Sequence, residues 1–597
     1  MCYLLAGFNN KFINGVKKDI QLANLHQQTV KDYIVDNKNY LFILNIDDYH
    51  NIHTVRQPDT TTTSNALHFI TILMKSSSQV PTVPFNNTTN QLIQNPKGID
   101  SRNIIFQLNL QYMKYLSVTY QKRKKSFTNL FGLHESHEER TERLLVHSYD
   151  IRIAERKNDR NLKNTKLIDL LEGNLHSTKD YLSVIQLIID IPELHTYLEK
   201  NILIAPMDYP GQKNVRRAVV HRMINGERSD IPPQILNIVP LIGPLHVSLN
   251  SQETVFLVNY DFFEKMMLLV KEPIQNHFNN CKDPEARMFI DLLDNIIPLV
   301  LDFYPIIFRG GCWETYKEAM LRIWTIFYRY RRKNYNKLPL AFLSDVFYWQ
   351  DIKHPIVKTF KTSLHIFNDY YVENFHSSIR HQTNSFNTAQ QIIHQAKVID
   401  QTRGKNSFTE VFSNNHNIIY TEKQLEFLEK KTAIFLLDLF QNVWNNRGHT
   451  TKKKVKKYWQ YNLPTLGKIV DEKVLPIGWN SSCPPKLDRL CDWDKCALSS
   501  EAPGSILSCG HGFHVECFNQ ANEKCPYCYK YLCNGIKDNC MTFQNMLNKK
   551  FDDDKESSED LEDQVNLQDD NNDEIVSADE DINRKLEEAL ESFNLCR

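Results

Sequence analysis

The sequence predicts a mixed α/β body, then a small zinc-stabilised module, then an acidic disordered tail. Three observations carry that expectation. Runs of strand-forming residues end at carboxylates or tight turns and are followed by helix-patterned stretches. Nine of the thirteen cysteines fall between Cys483 and Cys540. From Phe551 to Arg597 the chain carries 18 acidic and 4 basic side chains, a composition that does not bury a core.

At 597 residues the chain is too long for one ordinary domain, and 41% hydrophobic with 11% aromatic residues is enough to build real cores. Formal charge is zero, yet the acidic tail hides a body with 67 basic against 53 acidic side chains. That imbalance favours a polyanion such as DNA as partner. The longest apolar run, Asn295–Phe308, is broken by Pro298, Asp302 and Pro305, which argues against a membrane span. The amino end has no cleavage signature, so the expectation is an intracellular protein, in the nucleus or cytoplasm.

After an N-terminal segment (1–39), the body is placed at 40–385. Its first strand-like run, "YLFILNIDDYHNIH", ends in two carboxylates and two histidines, and a second run follows at Leu67–Met74. A third begins at Asn201, reaches Asp208 and turns at Pro210-Gly211 into a basic helix. A fourth, "ILNIVPLIGPLHVSLN" (235–250), carries His246 near its end. The stretch "NDYYVENFHSSIRHQTN" (368–384) has a helical pattern and bears Glu373. Residues about 252–360 are rich in helical patterns, and 386–480 form a helical basic linker whose clearest helix is 422–444.

Strand-end carboxylates together with a helix carboxylate suit a site for two Mg²⁺ ions, which require bridging anionic oxygens. Asp47 would bridge both ions, with Asp208 and Glu373 each holding one side. Strand alternation puts Asn45 and Asp47 on one face and Ile46 and Asp48 on the other; Asp47 is favoured and Asp48 is the alternative. His50, His53 and His246 are read as hydrogen-bonded histidines near strand ends. The blocks "NIDDYHNIH", "PMDYPGQ", "GPLHVSLN" and "YYVENFHSSIR" resemble cut-and-paste transposases with a ribonuclease-H-like core and an Asp-Asp-Glu site, in particular domesticated transposon-derived proteins of fungi. The resemblance implies a mixed sheet and a helical insertion between the fourth run and Glu373.

In the cysteine cluster, Cys491, Cys496, Cys509, His511, His514, Cys517, Cys525 and Cys528 are spaced C-x4-C, twelve residues, C-x-H-x2-H-x2-C, seven residues, C-x2-C. Eight such ligands fill two tetrahedral zinc ions with none spare, so both sites are closed and structural. "LSCGHGFHVECF…CPYC" resembles the RING-type zinc finger, here placed at 483–540. The resemblance implies interleaved ligation: Cys491, Cys496, His514 and Cys517 on one zinc, and Cys509, His511, Cys525 and Cys528 on the other. It also implies a surface for a ubiquitin-conjugating enzyme, to which this chain contributes Trp493 and Phe518. The first ligand loop is longer than usual and no Trp follows Cys517, so weak ubiquitin ligase activity is expected at best. Cys483, Cys533 and Cys540 remain as substitute ligands.

Two functions follow. In the first, the finger is a protein-interaction module with weak ubiquitin-transfer activity on a body of transposon-like origin. In the second, the body is a metal-dependent transposase or nuclease and the finger is purely structural. The basic runs 122–125, 328–337 and 452–457 are candidate nucleic-acid contacts or, for the last, a nuclear-import signal. In the tail (541–597), Ile582, Leu586, Leu590 and Phe593 share one side of a terminal helical pattern.

Overall fold

Five strands form the central sheet. β1 (Tyr40–His53) pairs antiparallel with β2 (Asn65–Pro81), and β2 pairs antiparallel with β3 (Thr165–Glu172). On its other side β1 runs parallel to β4 (Leu203–Met207), and β4 runs parallel to β5 (Ile238–Ile242). The order is β3-β2-β1-β4-β5, with β1 at the centre. This is a computed structural model, and it describes residues 22–53, 65–119, 162, 164–258, 282, 284–384, 387–402, 461–462, 469–470, 472–499 and 502–551. The expected linker helix at 422–444, the basic runs at 122–125 and 452–457, and the acidic tail beyond 551 lie outside the described residues.

Along the sheet the helices are α1 (residues 22–37), α2 (Ser101–Gln111), α3 (Thr178–Ile189), α4 (Pro192–Leu198), α5 (Tyr209–Asn225) and α6 (Pro244–Val258). They continue with α7 (Trp313–Arg329), α8 (Leu338–Asp351), α9 (Tyr370–Gln382), α10 (Ala389–Thr402) and α11 (Pro526–Asn548). Alternation along β1 assigns its two faces to different cores. Phe42, Leu44 and Ile46 pack with Val30 and Ile34 of α1, Tyr181 and Ile185 of α3, and Val215 and Val219 of α5. On the opposite face, Tyr49 joins Phe69 and Leu73 of β2 beneath Tyr371, Phe375 and Ile379 of α9 and Ile392 and Ile399 of α10.

β3 is the strand that the hydrophobic pattern does not reveal. "TKLIDLLE" mixes leucines with Lys166 and Asp169, a composition equally suited to a helix. Both charges are met by α10: Lys166 pairs with Asp400 at 2.5 Å and Asp169 with Lys397 at 3.5 Å.

From Pro284 to Ile366 every described regular element is helical, forming a layer whose largest buried side chains include Trp324, Trp349 and Phe360. The Asn295–Phe308 run lies inside it, with Ile296, Leu299, Val300, Tyr304, Ile307 and Phe308 buried. Among the described residues no helix is long and apolar enough to cross a membrane. The run 328–337 is half buried, and three of its five basic side chains, Arg329, Arg332 and Lys337, are interior rather than part of an exposed phosphate-contacting stripe. Arg329 pairs with Asp291 at 2.5 Å and donates to the Lys473 carbonyl, while Arg332 donates to Asn250 Oδ1. Tyr328 stacks on Trp324, and Tyr335 is buried against Phe327; of the basic residues in this run, Arg331 and Lys333 are the exposed ones.

Candidate functional site

Among the described residues, carboxylates and histidines gather beside the central strand β1, and cysteines and histidines gather in the finger. The first group assembles beside the middle of β1, where β4 and β5 release the chain. Asp208 follows β4 directly and is the N-cap of α5, with its Oδ1 accepting the Gly211 N–H at 2.8 Å and Pro210 in the first turn. Asp47 sits on β1, paired across the ladder with Thr71 of β2. Glu373 occupies the first turn of α9. The side chains of Asp47 and Glu373 are 14% and 33% exposed, enclosed yet within reach of solvent.

Asp47 feels both of the other carboxylates. Burial, and after it the charges of Asp208 and Glu373, push the Asp47 carboxyl well above the usual carboxylate range. Asp208 is raised too, chiefly by burial; the nearby His246 and the Gly211 N–H act against that shift, and the charges of Asp369 and Asp48 add to it. His376, beneath Asp47, has its Nδ1 3.9 Å from Asp47 Oδ2 and 4.0 Å from Glu373 Oε2, while its Nε2 bonds Thr71 Oγ1 at 2.8 Å. Burial first, then the Arg380 guanidinium and the neighbouring His50 ring, hold His376 down at about 3, so it is neutral. Asp47, Glu373 and His376 bring ligand atoms within 4.8 Å of one another, close enough to share a cation.

Two residues of this site were not legible as such in the sequence. Asp369, 2% exposed, accepts from Leu245 N at 2.8 Å and His246 N at 3.2 Å, and its Oδ2 lies 2.6 Å from His246 Nδ1. It therefore caps α6 across 123 residues of chain and orients the His246 ring, whose Nε2 is 3.8 Å from Glu373 Oε1. Gly243 makes this approach possible, since a Cβ there would lie 2.1 Å from Asp369 Oδ2. Burial disfavours the His246 cation, but the Asp369 hydrogen bond and the charges of Asp369, Asp208 and Asp47 override it and raise the imidazole to about 10. Asn45, buried on β1, is the second: its Nδ2 donates to the Pro206 carbonyl at 3.1 Å and the Asn368 carbonyl at 3.2 Å, tying the ends of β4 and the lead into α9 to β1.

Asp48 lies apart from this group. It faces the other side of β1, where its Oδ2 is 2.7 Å from His50 Nε2.

The finger has the interleaved arrangement. Cys491, Cys496, His514 and Cys517 form one cluster, and Cys509, His511, Cys525 and Cys528 the other. A hairpin, Gly504–Ile506 with Gly512–His514, holds Cys509 and His511 in its turn, a short helix (Val515–Gln520) presents Cys517, and Cys525 N-caps α11. Around His511 Nδ1 the sulfurs of Cys525, Cys509 and Cys528 stand at 3.4, 3.6 and 3.6 Å, and Cys496 Sγ is 3.3 Å from His514 Nδ1. A tetrahedral zinc with ordinary Zn–S and Zn–N bonds has S···N edges of about 3.6 Å, so both Cys3His sets fit the ion. His511 Nε2 bonds the Cys483 carbonyl at 2.7 Å, which leaves Nδ1 free as the ligand nitrogen. Cys483 thus contributes its backbone. Cys533 and Cys540 lie further along α11 and belong to neither ligand cluster.

No family model, curated protein or solved structure matches this chain.

The finger is fastened to the body. Ser508 bonds the carbonyls of Leu116 and Ser117 at 2.6 and 3.3 Å. Lys282, 5% exposed, pairs with Asp492 at 2.8 Å and donates to the Lys486 and Arg489 carbonyls. Beyond its last ligand, α11 runs on between α2 and α5, where Leu532, Ile536, Cys540, Phe543 and Leu547 enter the same core as α7 and α8. Trp493 and Phe518, expected to face a conjugating enzyme, are partly buried against Leu507 and Phe513 in the finger's own small core.

Proposed function

We propose that this protein is a metal-dependent enzyme that cuts or transfers polynucleotide strands, built on a ribonuclease-H-like body with a RING-type finger as a structural part. The single observation that carries this reading is that Asp47, on the central strand, feels the charges of both Asp208, just past a neighbouring strand, and Glu373, on a helix more than 160 residues further along the chain. Repulsion at an enclosed acid such as Asp47 is a condition that a divalent cation relieves. A strand order of β3-β2-β1-β4-β5, with only β4 and β5 parallel to β1, supports the architecture. A body that is basic overall suits a phosphodiester substrate.

Asp47, Asp208 and Glu373 would hold two Mg²⁺ or Mn²⁺ ions, which when bound supply charge for the attacking and leaving oxygens. The chain's own contribution is positional. Asn45 and the Asp369–His246 pair fix the three carboxylate-bearing elements against each other, and neutral His376 supports Asp47 from below. A ubiquitin-transfer role has less support, because Trp493 and Phe518 are engaged in the finger's own packing.

The test is cleavage of labelled DNA by the zinc-loaded full chain with Mg²⁺ or Mn²⁺. Asp47→Asn, Asp208→Asn and Glu373→Gln should each lower the rate by roughly a thousandfold, the effect of losing several kcal/mol of charge stabilisation. Cleavage that persists in the triple variant would place the activity elsewhere.

A further inference from the structure

On the face of β1 turned away from Asp47, a second group of metal-ligating side chains gathers that the proposed chemistry does not use. His50 of β1 and His68 of β2 are directly opposed across the antiparallel ladder, so their side chains share one face, with ring centroids 4.4 Å apart. Asp48 is two residues before His50 on that same face, with its Oδ2 2.7 Å from His50 Nε2. Asp48, His50 and His68 each bring a ligand atom within 4.8 Å of the other two.

Two further observations point to a ligand here. Asp48 Oδ1 and His68 Nδ1 are both shut off from solvent and have no hydrogen-bond partner. Buried polar atoms without partners are uncommon and costly, and two in one cluster share a single remedy in a cation. His176, just ahead of α3, places its ring centroid 6.4 Å from that of His68, near enough for a side-chain rotation to supply a fourth ligand.

We propose that Asp48, His50 and His68 form a binding site for a divalent transition-metal ion of borderline softness, such as Zn²⁺. Two imidazoles and one carboxylate are the donors such ions prefer, whereas Mg²⁺ and Ca²⁺ select oxygen. In tetrahedral geometry with bonds of about 2.0–2.1 Å, ligand atoms stand about 3.3 Å apart. The present Asp48–His50 contact would open by roughly half an ångström, and the others would close by small rotations. The site leaves a coordination position for water or for His176. It goes beyond the function proposed above and would stand without it, because Asp47 and Asp48 face opposite sides of the sheet.

The experiment is equilibrium dialysis of the full chain against buffered Zn²⁺, with bound metal counted by elemental analysis. Wild type should hold one equivalent more than the His50→Ala/His68→Ala variant, which keeps the two ions of the finger. His68→Gln alone should weaken that additional ion at least about tenfold, since even second-shell losses cost 10–100-fold. Unchanged thermal melting of the zinc-loaded variants shows that they are folded; if the double variant does not fold, His68→Gln decides the matter. Asp47→Asn/Glu373→Gln should retain the additional equivalent. Equal metal counts in wild type and the histidine variants, or loss of the ion in the carboxylate variant instead, would overturn the assignment.

Discussion

His246 illustrates how far one residue's chemistry depends on partners that are distant in the chain. Its ring lies between Asp369 and Glu373, and its imidazole is raised to about 10 against an ordinary value near 6.5. A basic group raised on folding contributes stability that is complete below the unfolded value and is lost as pH climbs through the folded one. Wild type should therefore exceed His246→Asn in denaturation midpoint at pH 6, and the gap should shrink steadily between pH 7 and 10. A gap that is constant over that range would show that the imidazole is neutral throughout. Asp47, Asp208 and Glu373 could be singled out in the sequence because carboxylates beside apolar runs stand out, although β1 continues six residues past Asp47. Asp369 could not, because its partners belong to a helix start 123 residues earlier, and no local pattern marks a long-range cap. Asn45 was placed on the Asp47 face from alternation alone, but its role depends on two carbonyls that only the folded chain brings to it.

At the scale of elements, buried ion pairs and tight contacts decide how the layers lock. Arg216 of α5 and Asp345 of α8 meet at 2.6 Å with side chains 9% and 11% exposed. Removing one partner of such a pair leaves an uncompensated charge, so Arg216→Met should cost about 3–5 kcal/mol in chemical denaturation. Adding Asp345→Leu should recover most of that loss; a double variant no better than the single one would show that the Arg216 bond to the Pro240 carbonyl matters more. On α11, Gly535 faces Tyr328, and a Cβ there would fall 2.4 Å from the Tyr328 ring. Gly535→Val should destabilise the body by about 1–3 kcal/mol through overpacking while leaving both zinc ions in place. Of the five strands, four could be seen as apolar runs in the sequence. β3 could not, because its charged residues are satisfied by α10 and so do not follow the alternation of a half-exposed strand.

For the whole molecule, the finger and the body are one structure. The described residues fall in a single compact unit, and α11 carries the chain from the second zinc cluster into the principal core. The ligand spacing made the clusters readable from sequence, whereas the docking did not show, because it rests on backbone carbonyls at Leu116 and Ser117 and on one buried lysine. Structural zinc contributes about 10–16 kcal/mol per site near neutral pH, as much as the entire stability of an ordinary domain. Chelation should therefore melt the helical layer along with the finger. Near-ultraviolet dichroism of the buried Trp324 and Trp349, followed with zinc content, should change in one step; tryptophan signals that survive complete zinc loss would separate the two parts.

That joint also sets an order of events on the ribosome. α7 and α8 are synthesised about two hundred residues before α11 is complete, an interval of roughly 10–40 s at ordinary elongation rates. Throughout that time the core lacks the cover that Leu532, Ile536 and Phe543 give it in the folded protein. The body's apolar core is thus finished only when the last helix arrives from the zinc-holding end of the chain.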